Sequence, residues 1–452
     1  MGGLRHPHAQ RKLALRRFLN PFYTHFTTKD DGTTWSRHKQ TLQLAPHYTE
    51  GLLQPGSGKT MRGIAKNMDL DEDRVQRFVT ESPWSYRDLQ KHLNHAIPPG
   101  IASEQAALVV DEVGLLKKGK HSVGVQRQYS GAAGRVENSQ VAVDLILATP
   151  GGQRNADQHT WPLGFTLYLP ESWCDDPERR QAAEIPDEIR FQTKPMIAWD
   201  MIQRAIENEV PHRCVIGDAV YGESWDLRRN LREHDEPYVL GIQPHTMQFV
   251  LDEQSLQEGD PVPGDVPTGT ARELARHDAS WHEVAWTKGE KGALRAAFAR
   301  WRVRRTEPGH HGGRRATDES GWLLAERVGD RTKFYLAWGF DDASLEELGM
   351  YAHLRWTIEK FHRDAKQDLA LDSFEGRSWT GWHHHMTLVL LAFAFLATLR
   401  AEGGGLAPPP KLTEVIHVLL VERAYRLGLE EGAPPALARR MAQKFVRRMT
   451  DY

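Results

Sequence analysis

The 452-residue chain has only two cysteines, Cys174 and Cys214, far apart and outside any CxxC spacing. That argues against a disulfide scaffold and a cysteine-rich zinc site, and it fits a reducing cytoplasm. An excess of charge of one sign is also missing, because 58 basic and 60 acidic residues leave a formal net charge of −2. A uniformly basic nucleic-acid coat is therefore not expected, and any polyanion would have to be met by local patches. Long hydrophobic runs are scarce. The most apolar one, Thr387 to Leu399, is shorter than the about 20 residues of a membrane span and reads as a buried helix. The start, MGGLRHPHAQRKLALRRFL, is basic but has no secretory apolar core or small-residue cleavage pattern, and His6 stands where a myristoylation signal needs Ser or Thr. There is no internal repeat and no extended low-complexity tract. These absences lead us to expect a soluble, cytoplasmic protein with no membrane partner.

What is present falls into segments. Residues 1–104 read as a helical N-terminal domain, with apolar residues at helical spacing in GIAKNMDLDEDRVQRFV and SYRDLQKHLNHAI, and with Asp69 and Ser85 as expected helix starts. DNA binding by this domain and plain packing are equally open. From Ala106 the rhythm changes to strands: AALVVDEVG, SVGVQRQYS and VENSQVAVDLILAT, joined by turns such as SGAAGR and read as an antiparallel meander. A helix, PMIAWDMIQRAIENEV, precedes the apolar run CVIGDAVYG, a candidate central strand. The order β-β-β-α-β, with Asp111 ending the first strand and Asp218 ending the last, is the layout of a ribonuclease-H-like fold, in which those two strands are neighbours. Residues 105–243 thus read as the first part of an α/β core, 244–343 as a β-rich insertion, 344–400 as the completion of the core, and 401–452 as a helical C-terminal region behind the linker EGGGLAPPPK.

An acid at the end of a strand is more often a turn residue than a ligand. Two such acids on strands expected to be adjacent shift the balance towards a shared site. A third acid, Glu359, lies in YAHLRWTIEKFHRDAKQDL, where Arg355, Glu359 and Lys366 are four and then seven residues apart and project from one helical face at ~100° per residue. Arg355 and Glu359 could equally form a solvated i,i+4 pair. Three carboxylates plus substrate phosphate suffice to hold Mg²⁺ or Mn²⁺, and two such ions can orient attacking and leaving oxygens during phosphodiester transfer. Lys117, Lys118 and Lys120 in the turn after Asp111, with Arg127 on the next strand, could grip DNA phosphates. PGSGKT fails as a phosphate loop, since Leu53 stands where the first glycine belongs, and reads as a turn whose Lys59 and Arg62 could touch DNA. His383, His384 and His385 point about 100° apart on a helix and cannot share one ion; one could face the active site, and solvent or core packing is expected for the others.

LVVDEVGLLKKGKHSVGVQRQYSGAAGRVENSQVAV, VIGDAVYGES and RWTIEKFHRDAKQDLALDSFEGRSWTGWHHHMTLVLLAFAFL together resemble the DDE superfamily endonucleases found in insertion-sequence transposases. The resemblance implies that Asp111, Asp218 and Glu359 are the catalytic and metal-binding triad, with Arg355 and Lys366 as the companions of the third acid on DNA. It departs from the family signature at Ala352, where a Tyr is expected; Tyr351 is one residue earlier. It implies a nucleoid-associated transposase that binds the terminal inverted repeats of double-stranded DNA, cleaves strands at the element ends and transfers them into target DNA, as a homodimer in the DNA complex. Two alternatives are a domesticated DNA-binding regulator of the same fold and a metal-dependent nuclease without transposition.

Overall fold

The computed structural model describes residues 14–29, 31–34, 38–54, 58–131, 134–151, 158–251, 256–277, 280–289, 292–309, 312–402, 421, 425 and 432–450. Residues 403–411 of the linker expected at EGGGLAPPPK, and the N-terminal residue His6, lie outside the described residues.

The N-terminal part is helical. Two short 3-10 turns are followed by α1 (His38–Leu52), α2 (Met61–Asn67), α3 (Glu72–Thr80) and α4 (Tyr86–His95). Ser85 caps α4 by accepting from the Asp88 amide, as its position before YRDLQ predicts. The start of α3 differs from expectation by two residues: Asp71 is the cap, while Asp69 takes a left-handed φ of 53° in the link after α2. Asp tolerates that conformation better than most residues, so one acid ends a turn while the other opens a helix.

The rest of the described chain is built on one twelve-stranded mixed sheet. Its first strands are β1 (Ala107–Leu116), β2 (Gln126–Ser130), β3 (Arg135–Ala148) and β4 (Thr160–Leu167). The expected meander is not what forms. β1 pairs with β3 rather than with β2, and the long β3 pairs with β2 along its first half and with β4 along its second. The strand β4, TWPLGFTL, was not anticipated. Its proline obscured it, and a register shift in its pairing with β3 falls just after Pro162, between Pro162 and Gly164.

Two small helices, α5 (Glu171–Cys174) and α6 (Pro177–Ala182), and the longer α7 (Lys194–Glu207) lead to β5 (Cys214–Gly217). Then come α8 (Ala219–Gly222), α9 (Trp225–Glu233) and β6 (Tyr238–Ile242). β1 and β5 are parallel neighbours, as are β5 and β6. That adjacency follows from composition: β1 and β5 are almost wholly buried apolar runs, and a parallel sheet covered on both faces selects such strands.

Residues 244–343 add β7 (Gln248–Leu251), β8 (Thr268–Thr270), α10 (Ala271–His277), β9 (His282–Gly289), β10 (Gly292–Pro308), β11 (Arg314–Val328) and β12 (Arg331–Trp338). β12 pairs antiparallel with β6, so these strands prolong the core sheet. A buried charge network joins the two: Glu319 of β11 takes Arg228 of α9 at 2.7 Å, Arg305 of β10 at 3.1 Å and the Tyr238 hydroxyl at 2.6 Å.

The chain closes with α11 (Leu345–Leu354), α12 (Trp356–Leu369), α13 (Trp379–Glu402) and α14 (Pro435–Thr450). α13 is long and apolar enough to cross a membrane by length and composition, but most of it is buried inside the protein, against β4 and α1, α3, α4 and α12. Its three histidines diverge into the core: His383 meets the Trp379 carbonyl, His384 the Val79 and Trp84 carbonyls, and His385 Tyr48 and the Ala370 carbonyl. None faces the acids, which excludes the active-site role held open for one of them. The segment after PGSGKT does begin a helix, capped by Thr60, but Lys59 is buried. Its ammonium donates to the carbonyls of Leu52 and Asp368, joining the C-terminal ends of α1 and α12 instead of reaching DNA.

Candidate active site

The parallel pairing of β1 with β5 ends at Val109 opposite Ile216. Continuing that register by two residues on each strand arrives at Asp111 and Asp218. β5 stops there, and Asp218 turns the chain into α8 by accepting from the Val220 amide at 2.8 Å, which uses one carboxylate oxygen and leaves the other. β1 does not stop: Asp111 lies within a strand that runs on to Leu116 because β3 continues beside it. The turn at Asp218 needs glycine. A Cβ on Gly217 would meet Val110, Tyr221 and Leu240 at 3.1–3.2 Å, and one on Gly222 would stand 1.8 Å from the Gly241 carbonyl oxygen.

Alternation along β1 separates Asp111 from Glu112. Asp111 faces α12. Glu112 faces α7, where its carboxylate takes Lys194 at 2.9 Å and the Tyr221 hydroxyl at 3.3 Å. On the α12 side Arg355, the residue between α11 and α12, donates to Asp111 Oδ2 at 2.7 Å and, through its other terminal nitrogen, to Glu359. One guanidinium thus holds two of the three acids and feels the charge of the third, Asp218. Lys366, further along the same face, donates to the Gly114 carbonyl at 3.1 Å.

Burial pushes the Asp111 carboxyl up to about 7; Arg355 and His362 oppose the rise, while Asp218 and Asp144 add to it. Asp218 is also raised, by burial and then by Glu112. Carboxylates raised in this way are short of positive charge.

Two functional candidates escaped the reading of the sequence. Asp144 stands directly opposite Asp111 in the β1–β3 register, and His362, one turn after Glu359, binds both its oxygens at 2.8 and 2.9 Å. The signal for Asp144 was available: it is the one acid in the otherwise apolar run VAVDLILA.

Of the basic residues expected on DNA, Lys118, Lys120 and Arg127 are exposed. Lys117 is half-buried and donates to the Phe374 carbonyl at 2.6 Å. A cavity of about 580 Å³ opens beside Arg355 and Glu359, lined by Trp286, Lys333, Tyr335 and Trp356.

Among the described residues no three His, Cys, Asp or Glu side chains stand close enough together to hold a metal ion. The donor set still suits one. Asp111, Asp218 and Glu359 offer only oxygen, as a hard divalent cation requires, and the Arg355 guanidinium between two of them stands in for a cation.

This arrangement of two acids at the end of a parallel strand pair and a third on a covering helix agrees with a match to the sequence model of the DDE superfamily endonucleases over residues 21–308. The chain belongs to that family. The matched stretch contains Asp111 and Asp218, and Glu359 lies beyond it. A relative from Microchaete diplosiphon, "Probable transposase for insertion sequence element IS701", is 26% identical over 318 residues, covering 70% of this chain and 72% of that protein.

Proposed function

We propose that the protein is a DNA transposase of the DDE type, in which Asp111, Asp218 and Glu359 are the catalytic carboxylates. The observation that carries this reading is the link from Asp111 through Arg355 to Glu359, set where β1 and β5 bring Asp111 and Asp218 to the same end of the parallel pair. Family membership and the named transposase relative support it. A ribonuclease-H-like core is supported by the strand order β4–β3–β1–β5–β6, antiparallel up to β1 and parallel beyond it, with α7 between β4 and β5. On this reading residues 1–104 form the helical N-terminal domain, 105–243 and 344–400 the core, 244–343 the insertion and 401–452 the C-terminal region.

Divalent ions, Mg²⁺ or Mn²⁺, when bound would activate a water or 3′ hydroxyl and stabilise the leaving oxygen. The protein's own part is to hold carboxylate oxygens towards one point. Asp218 keeps one oxygen on the Val220 amide, which fixes the direction of the other. Asp111 is held by a strand paired with β3 throughout and with β5 as far as Val109, and Glu359 by a helix packed on that strand. Arg355 lies between the carboxylates that would hold the ions, and its guanidinium suits a DNA phosphate beside the site as an alternative partner. Exposed Lys118 and Lys120 in the connection after β1, and Arg127 on β2, serve as phosphate contacts, which makes DNA affinity salt-dependent. The working unit is a homodimer paired on two element ends, acting in the cytoplasm at the nucleoid.

The test is to incubate the purified protein with its flanking terminal repeats and Mg²⁺ or Mn²⁺ and to assay end cleavage and strand transfer. Asp111→Asn, Asp218→Asn and Glu359→Gln are each expected to abolish both while end binding survives. Cutting by a triple alanine variant would overturn the assignment. Cleavage without joining would indicate a nuclease, and binding without cleavage a regulator.

A further inference from the structure

Apart from Arg355, the residues that hold α12 against the sheet near the acids include a buried polar pair with no assigned role. Asp144 is completely buried, and a carboxylate there is costly: the flanking residues of β3 are apolar, and Phe165, its register partner on β4, stacks on Phe361 of α12. His362 answers it with one ring nitrogen within hydrogen-bond distance of both oxygens, at 2.8 and 2.9 Å. A buried pair of this kind is often no more stable than two apolar side chains of similar volume. What it adds is direction. An apolar contact lets a helix slide or roll, whereas a hydrogen bond from a buried ring nitrogen shared between both oxygens of a buried carboxylate ties that point of the helix to one place on the strand.

The location matters because of what lies on either side. Asp144 is the cross-strand neighbour of Asp111, and His362 is one helical turn from Glu359. The pair therefore spans the same gap between β1–β3 and α12 that separates the two acids. The direct bridge between the acids themselves is the Arg355 guanidinium, and that bridge must open for a cation to take its place.

We propose that His362 and Asp144 are a positioning pair: their hydrogen bonds set the separation of Glu359 from Asp111 and hold it after Arg355 has withdrawn. This rests on the triad reading above. The two residues touch neither substrate nor metal in this scheme; they act through the helix and strand that carry the acids.

The experiment uses the full chain and Mn²⁺ as probe. Mn²⁺ affinity is measured by calorimetry, thermal stability by circular dichroism, and kcat and DNA KM for end cleavage separately. The double substitution Asp144→Leu with His362→Leu removes both partners together and leaves neither of them buried without the other, so it is expected to melt at or above the wild-type temperature. Its Mn²⁺ affinity should fall roughly 10–100-fold and its kcat with it, with DNA KM unchanged. Asp144→Asn, which keeps an acceptor for His362, should recover most of both. A leucine pair that folds and retains wild-type Mn²⁺ affinity and kcat overturns the proposal. Should the leucine pair not fold, His362→Leu combined with Asp144→Asn, which removes the donor and leaves a neutral amide in place of the carboxylate, is measured in the same way; an affinity within twofold of wild type overturns the proposal, and a loss of roughly tenfold supports it. Asp111→Asn and Glu359→Gln run alongside: if they keep Mn²⁺ affinity the triad itself is wrong, and if they lose it while the leucine pair does not, only the positioning role fails.

Discussion

Arg355→Ala removes the cation that lets Asp111 carry its charge. In the native protein Arg355 Nη1 donates to Asp111 Oδ2 at 2.7 Å, and the Asp111 side chain is only 12% exposed. Burial has raised this carboxyl from the ordinary 3.8 to about 7 even with Arg355 pulling it down. Without the guanidinium it rises further. Because the carboxyl can avoid ionising by keeping its proton, the added cost is limited to ~1.4 kcal/mol for each pH unit above about 7. Removing the hydrogen bond adds ~1 kcal/mol. The metal-free variant should therefore be less stable than wild type by about 2 kcal/mol at pH 8, and by about 1 kcal/mol or less at pH 6, where Asp111 is largely protonated in both. The sign follows from linkage. A carboxyl whose pKa is higher in the folded state binds its proton more tightly there, so folding stability falls as pH rises from about 4 to about 7. In wild type that fall levels off above about 7, and in the variant it continues. Glu359, nearly half exposed, contributes little to the difference because solvent screens it. Urea unfolding in EDTA at the two pH values measures the effect. An equal destabilisation at pH 6 and pH 8 would refute the argument that Arg355 neutralises a buried Asp111.

Other outcomes follow from the same structure. Glu319→Gln strips the buried charge that Arg228, Arg232 and Arg305 share and should destabilise the protein by about 3–5 kcal/mol; a melting temperature equal to wild type would show that the network is not what binds α9 to β11. Gly222→Ala drives a methyl into the Gly241 carbonyl and must push aside the turn that presents Asp218, so a loss of ~1–3 kcal/mol in urea unfolding should accompany reduced DNA cleavage. Replacing Lys118, Lys120 and Arg127 together by Gln should lower the slope of log affinity against log salt by ~0.9 for each DNA phosphate no longer neutralised, leaving kcat at saturating DNA unchanged. An unchanged slope in filter binding would remove these residues from the DNA surface.

The order of elements was legible because it depends on local periodicity. The buried runs around Asp111 and Asp218 read as neighbouring strands, and β1 and β5 are neighbours. The helical reading of YAHLRWTIEKFHRDAKQDL was legible from its spacing, and the structure divides that segment by a turn at Arg355 into α11 and α12. The β4 strand was missed because Pro162 disguises it, and with it the true partner of the long β3. Lys59, Lys117 and Lys366 looked like surface cations. Composition cannot tell a lysine that reaches solvent from one whose ammonium finds a buried carbonyl, since that depends on which distant segment supplies the acceptor: Asp368, Phe374 and Gly114 respectively.

From the residues themselves came the three acids, the strands and helix that bear them, and the cation four positions before the last, because alternation and helical spacing act over a few residues at a time. Only the folded chain decided that Arg355 lies between Asp111 and Glu359 and that Asp144 and His362 meet behind them. The Arg355–Asp111 and His362–Asp144 bonds join residues more than two hundred positions apart, and no local preference encodes a distance across the sheet. It is set when a helix and two strands bury their apolar faces against one another, which brings their polar groups within bonding range.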